Sequence, residues 1–206
     1  MPETDKILTG LKRKLYLFLK RLVHPLPFGL ARAGQGAVIS RPRRVQGCRY
    51  IEIGERSVIS KHSWLGAIDS YAGIQYRPQL LIGNDVYIGQ YSSFQCISKI
   101  VIEDNCVLSE YIYISDCAHG MDPKAGLIMH QKLEHKGDVL IQSHTFIGYR
   151  ACIMPGVTLG RHCIVGANSV VTRSFPDFSM VAGVPARLIK VYSPERGEWI
   201  RAGETY

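Results

Sequence analysis

Residues 141–176 read, six at a time, IQSHTF, IGYRAC, IMPGVT, LGRHCI, VGANSV and VTRSFP. An aliphatic residue opens every unit (Ile141, Ile147, Ile153, Leu159, Val165, Val171), and the fifth place holds Thr145, Ala151, Val157, Cys163 and Ser169 before Phe175. This period belongs neither to an amphipathic helix nor to an alternating strand. It suits a β-solenoid, in which each hexapeptide makes one short flat side, turns a corner and sends its first residue into a shared interior, three sides to a coil. Gly148, Gly160 and Gly166 stand at the second place, where a Cβ in a tight corner is costly, and Pro155 with Gly156 tolerates a bend without ladder donors.

The same phase extends toward the N-terminus. From Ile53 it reads IGERSV, ISKHSW and LGAIDS, then breaks at 71–80, an outward loop whose Tyr71, Tyr76 and Arg77 are candidates for touching a ligand. It resumes as IGNDVY, IGQYSS and FQCISK, slips by two residues at Ile100 and Val101, and returns as IEDNCV, LSEYIY and ISDCAH. About five full coils are expected, with one structureless excursion over about 120–140; excursions of that length in a compact domain are usually functional. Residues 37–50 read as irregular, with Arg41, Arg43 and Arg44 as a solvated basic surface.

Residues 5–23 carry Ile7, Leu8, Leu11, Leu15, Phe18, Leu19 and Leu22 at helical spacing, with Lys12, Arg13, Lys14, Lys20 and Arg21 between them, and His24, Pro25 and Pro27 end the run. This basic amphipathic helix caps the open end of the solenoid, packs against a neighbouring subunit or lies on an anionic membrane surface. Charge follows it: residues 1–61 hold 13 Lys/Arg against 4 Asp/Glu, within a chain total of 25 against 17. No interleaving of aromatic and basic residues accompanies that charge, so nucleic acid is not an expected partner.

With 206 residues, 46% of them hydrophobic, the chain suits one globular domain. The longest apolar run near the start, Leu15 to Leu19, is too short to cross a bilayer, and the expected location is cytoplasmic, or peripheral at the inner face of the membrane if the helix binds there. Six cysteines lack the paired spacings of a zinc or CxxC site, and no metal is expected.

The hexapeptide run and the ending SVVTRSFPDFSMVAGVPARLIK (169–190) resemble the hexapeptide-repeat acyltransferases, in the sugar O-acetyltransferase branch that includes galactoside and maltose acetyltransferases. The resemblance covers about 51–190. It implies an all-β solenoid, a left-handed parallel β-helix, assembled as a homotrimer with sites between neighbouring subunits. The expected organisation is an N-terminal amphipathic helix and linker over 1–36, the β-helix domain over 37–178, and a short C-terminal extension over 179–206 that contacts cofactor.

A sugar hydroxyl is a poor nucleophile near neutral pH, so direct acetyl transfer from acetyl-CoA needs a general base that later protonates the departing thiolate. The family resemblance places that base at His119 in SDCAHGMDP, the second histidine of a D-H-x-H-G pattern; Cys117 stands where the first often does. Asp116 and Asp122 lie close enough in sequence to orient it. For acetyl-CoA the resemblance implies Tyr149, Ala167, Thr172, Arg173, Arg187 and Lys190, although Phe146 and Tyr149 depart from the Trp and Ser common in sugar acetyltransferases. Gln90 stands where galactoside-type members place an acceptor-contacting Asn, and Gln95 is its neighbour in phase. His62, His144 and His162 share the outward fourth place.

The expected function is acetyl-CoA-dependent O-acetylation of a saccharide hydroxyl, in surface polysaccharide or lipopolysaccharide assembly, with a small-molecule or glycan acceptor that is free or lipid-linked. N-acetylation of a nucleotide-linked amino sugar is the alternative within the enzyme class. Outside it stand a zinc lyase like the gamma-type carbonic anhydrases, for which His119, His130, His135 and His144 lack the spacing, and a non-catalytic scaffold.

Overall fold

In the computed structural model, which describes residues 29–203, the first residue of each hexapeptide named above faces one interior and is at most 2% exposed. These residues align in three columns. Ile53, Ile82, Ile102, Ile141 and Leu159 run up the first sheet, and Ile59, Ile88, Leu108, Ile147 and Val165 up the second. Leu65, Phe94, Ile114, Ile153 and Val171 run up the third. The chain visits the three sheets in rotation with parallel pairing, so each set of three strands closes one coil of an all-β prism. Each fully buried aliphatic side chain contributes about 1.5 to 3 kcal/mol, which lets strands of two to four residues persist.

The first sheet has six strands, and six coils form rather than five. Residues 37–50, read as irregular, supply two sides of the first coil through Val38–Ile39 and Arg44–Gln46, after Arg32–Ala33. Ala33, Ile39 and Val45 keep the six-residue spacing, but arginines and glycines fill the intervals and a 3-10 turn over Cys48–Tyr50 interrupts the next corner, which hides the period. The N-terminal helix expected over residues 5–23 lies outside the described residues. Among the described residues no helix is long and apolar enough to cross a membrane.

Two of the three corners have a regular construction. The fourth place takes a left-handed conformation on non-glycine residues, including Arg56, Asp85, Asn105, His144, His162 and Phe178 at one corner and His62, Tyr91, Tyr111, Arg150 and Asn168 at the other. Each such residue costs about 1 to 2 kcal/mol. The cost is offset because each corner N–H bonds the coil beneath it, as in Asn105 to Asn84 at 2.9 Å and His162 to Ser143 at 3.0 Å. The side chains also stack: His144 on His162 at 4.6 Å, and His62, Tyr91 and Tyr111 in sequence at 4.8 Å each. The second-place glycines serve close approach instead. A Cβ on Gly160 would fall 2.3 Å from the Asp177 nitrogen of the next coil.

The third corner, where the third sheet passes to the first, carries every excursion. After Ala67 the chain makes a hairpin of Ser70–Tyr71 and Ile74–Gln75 before Gln79–Ile82. After Cys96 the two-residue slip lengthens the side, so that Ile100 and Ile102 both point inward. After Ser115 the long excursion begins. It is not structureless: Cys117–His119 pairs antiparallel with Leu133–His135 before the coil resumes at Val139–Ile141. The C-terminal strands Ser179–Gly183, Ala186–Ser193 and Glu198–Arg201 extend the second sheet, the last two antiparallel.

Candidate active site

Because the hairpin and the long excursion leave the same corner two coils apart, they meet. The Tyr76 hydroxyl donates to the Leu133 carbonyl at 3.0 Å and accepts the Leu133 N–H at 2.9 Å, fastening the strand that pairs with His119. The Tyr71 ring meets the His119 ring edge-on with centroids 5.3 Å apart, and its hydroxyl donates to the Met129 carbonyl. Gln131, buried, closes the excursion by accepting the Asp122 N–H at 3.1 Å and donating to the Asp122 carbonyl at 2.9 Å. Ser115 holds the exit, donating to the Cys117 carbonyl at 2.8 Å. His119 therefore sits on a paired, cross-braced strand, not on a free loop.

Between this excursion and the outer face of the third sheet lies a cleft of about 610 Å³. His119, Tyr71 and Leu133 form one wall; Trp64, Ser93, Gln95, Tyr113 and Ser115 form the sheet side; Arg43 and Arg44 stand toward its first-coil end. The His119 Nδ1 is shielded from solvent and has no hydrogen-bond partner among the described residues, and the same holds for the Trp64 indole nitrogen. The ring lines the cleft and is only half-buried, so its other nitrogen, Nε2, can accept a proton from a hydroxyl or amine held there. A smaller hollow of about 470 Å³ on the first sheet is lined by Arg32, Glu52, Asp104 and Ser143 and includes none of the expected site residues.

Of the carboxylates expected to orient His119, neither bonds it. Asp116 is fully buried and accepts the N–H groups of Ile97 (3.0 Å), Ser98 (2.8 Å) and Lys99 (2.8 Å), so its carboxylate holds the lengthened corner of the preceding coil. Asp122, exposed, accepts the Lys124 N–H at 2.8 Å within the excursion. Gln95 lines the cleft, its amide donating to the Ser93 hydroxyl at 3.2 Å, whereas Gln90 is exposed at the second-to-third corner, outside it.

The residues expected at the cofactor flank both edges of the third sheet. Tyr149 and Ala167 occupy successive coils of the second-to-third corner, where the Asn168 N–H bonds the Tyr149 carbonyl at 2.7 Å. Thr172 and Arg173 follow the last strand of the third sheet, both exposed, with the Arg173 guanidinium 5.3 Å from the Phe175 ring. Arg187, exposed, and Lys190, half-buried, lie on the antiparallel strand Ala186–Ser193.

Other nucleophiles and ligands are quiescent. Burial pushes the Cys106 and Cys117 thiols up to about 11 and raises Cys96, Cys152 and Cys163, so these stay protonated near neutral pH and are poor nucleophiles and metal ligands. Among the described residues one trio, Asp116, His135 and Asp138, has potential ligand atoms within 4.8 Å of one another. The Asp116 carboxylate there is already taken by backbone donors, and His135 Nε2 is bonded to Asp138 at 2.9 Å.

Against known proteins, residues 138–173 match the bacterial transferase hexapeptide family (six repeats). An Escherichia coli protein named for lipopolysaccharide biosynthesis O-acetyl transfer, WbbJ, is 28% identical over 132 residues, covering 61% of this chain and 67% of that one. Galactoside O-acetyltransferase of Escherichia coli is 29% identical over 119 residues, covering 52% of this chain and 55% of that enzyme. The chain spans from 42% to 67% of the length of the first curated relatives it matches. Among solved structures, a point mutant of the N-acyltransferase AntD of Bacillus cereus, in complex with dTDP and coenzyme A, superposes with a TM-score of 0.66 at 22% identity, over 82% of this chain and 88% of that one. That likeness shows the fold. The hexapeptide match and the relatives' names bear out the resemblance to the hexapeptide-repeat transferases, sugar O-acetyltransferases among them.

Proposed function

We propose that this hexapeptide-repeat protein, a relative of sugar O-acetyltransferases, is an acyltransferase that moves an acetyl group from acetyl-CoA to a saccharide hydroxyl, with His119 as general base. The observation that carries the reading is the half-buried His119 imidazole, bonded to no carboxylate among the described residues, on the wall of a cleft that also holds hydroxyl, amide and guanidinium groups. In the reaction the imidazole takes the hydroxyl proton as the oxygen attacks the thioester carbonyl, then delivers it to the CoA thiolate as the C–S bond breaks. No enzyme-bound acyl group is needed, and the raised Cys117 thiol is unsuited to carry one. Left-handed coiling, a homotrimer with sites between neighbours, and a role in surface polysaccharide or lipopolysaccharide assembly in the cytoplasm belong to this reading.

An amine acceptor would use the same base. The fold likeness to an N-acyltransferase supports this second reading. Incubating the protein with acetyl-CoA and a panel of glycans, nucleotide sugars and lipid-linked sugars, and reading thiol release with product mass, separates them. Absence of thiol release with every acceptor would overturn both.

Acetyl-CoA is placed along the outer wall of the last coils, with Tyr149, Ala167 and Thr172 beside its pantetheine arm and Arg173, Arg187 and Lys190 toward its phosphates. Arg187→Ala and Lys190→Ala should each raise the apparent constant for acetyl-CoA by the equivalent of about 1 to 3 kcal/mol of charge-assisted contact. The comparison is with a truncated thioester lacking the nucleotide. Equal sensitivity toward that substrate would show that these cations do not meet the phosphates.

A further inference from the structure

Arg43 and Arg44, read from sequence as solvated surface, are both exposed, and the first coil sets them at the edge of the His119 cleft. Both guanidiniums lie over one ring, that of Trp64, at 5.3 and 5.5 Å from its centroid. Trp64 pairs in register with Arg44 across the third sheet, so the ring and the arginines are fixed by adjacent coils. Neither guanidinium is ion-paired to a carboxylate among the described residues, unlike Arg32, Arg49, Arg56 and Arg161, which all are. Among the described residues no Asp or Glu lines the cleft. Two neighbouring exposed cations held against one indole, with no carboxylate beside them among the described residues, present two adjacent guanidinium forks to an anion.

We propose that Arg43 and Arg44 form an anion subsite of the cleft and that the acceptor is a sugar joined to a diphosphate, its phosphoryl groups on the two guanidiniums and its sugar toward His119. This rests on the acyltransferase reading and specifies its substrate class. A planar guanidinium matches a phosphoryl group through paired N–H donors, and two adjacent ones match two linked phosphoryl groups, each bearing one charge; a single carboxylate would leave one cation uncompensated. Polarity along the solenoid agrees. His119 leaves the fourth coil and the arginines stand on the first, at about 4.8 Å per coil, on the side away from Arg173, Arg187 and Lys190 of the last turns. Donor phosphates and acceptor phosphates thus have separate cations, with the base between them.

The shared chemistry is a sugar-linked diphosphate, and its other end is a nucleoside or a lipid. Calorimetric titration of the full chain with inorganic pyrophosphate, uridine diphosphate and a short-chain polyprenyl diphosphate tests the site. All three should bind wild type and weaken at least about tenfold in the Arg43→Gln, Arg44→Gln double variant, the loss expected for a charge-assisted pair. Tighter binding of uridine diphosphate than of pyrophosphate assigns a nucleotide-linked acceptor, and tighter binding of the polyprenyl diphosphate a lipid-linked one. Thermal melting checks that the double variant is folded, and single Arg→Lys variants should recover part of the affinity if charge is what is read. Pyrophosphate binding that survives the double variant, or that is lost instead in Arg187→Ala and Lys190→Ala, would overturn the subsite and leave the acyltransferase reading standing. Arginine-dependent diphosphate binding without thiol release from acetyl-CoA and any acceptor would do the opposite.

Discussion

His119→Ala should lose turnover by a factor on the order of 10² to 10⁴, because proton transfer in the transition state then falls to water. The apparent constant for acetyl-CoA should stay where it is, since the cations assigned to the cofactor lie on the last turns of the solenoid. His119→Asn should do no better: it approximates the shape of the ring but cannot take a proton. The bracing of His119 makes the result interpretable. Its strand is held by backbone pairing to Leu133 and by the Tyr76 hydroxyl, neither of which uses the imidazole, so truncating the ring should leave the excursion in place. Ala substitutions at His62, His144 and His162, which stack along the two regular corners outside the cleft, should retain most activity. A His119→Ala enzyme that keeps more than about a tenth of wild-type turnover would rule out general-base catalysis at this residue.

How much of this could be read from sequence depends on the range over which the physics acts. The inward columns were legible because burial imposes the same demand on every sixth residue, from Ile141 to Val171, and because a slip of two residues at Ile100 can be absorbed inside one long side. The first coil was not, since Ala33, Ile39 and Val45 are too sparsely apolar to stand out among arginines. His119 was visible as the last residue before the phase fails. Its surroundings were not: phase says which sheet a residue joins, and it does not say which excursions share a corner. That the loops after Ala67 and Ser115 leave one corner two coils apart follows from counting coils, but that Tyr76 clamps Leu133 depends on how each loop folds outside the repeat. Arg43 and Arg44 are exposed, as read, but that they border the cleft depends on the first coil, which was missed. At Asp116 proximity in sequence suggested a partner for His119, whereas the carboxylate turns toward the corner of the preceding coil.

That corner sets up the largest stability effect expected here. Consecutive N–H groups of Ile97, Ser98 and Lys99 converge on one fully buried carboxylate, where the side is two residues longer than the hexapeptide and no coil-to-coil ladder can take all three donors. Asp116→Ala would leave them stranded in a site with little access to water. Hydrogen bonds to a charged acceptor, and buried donors left without one, are each worth about 1 to 3 kcal/mol, so the combined loss should reach about 3 to 5 kcal/mol. For a chain of this size that lowers the thermal midpoint by on the order of 10 °C. Asp116→Asn should fall between, because its amide keeps one acceptor oxygen but turns an NH₂ toward the same donors. Activity follows by a different route from that of a residue orienting the base: measured well below its lowered midpoint, the folded Ala variant should lose far less turnover than His119→Ala, and its pH–rate profile should keep the wild-type shape. An Asp116→Ala protein that melts like wild type yet has lost turnover as deeply as His119→Ala would show that this carboxylate serves the imidazole after all, and that the backbone donors of 97–99 find other partners without it.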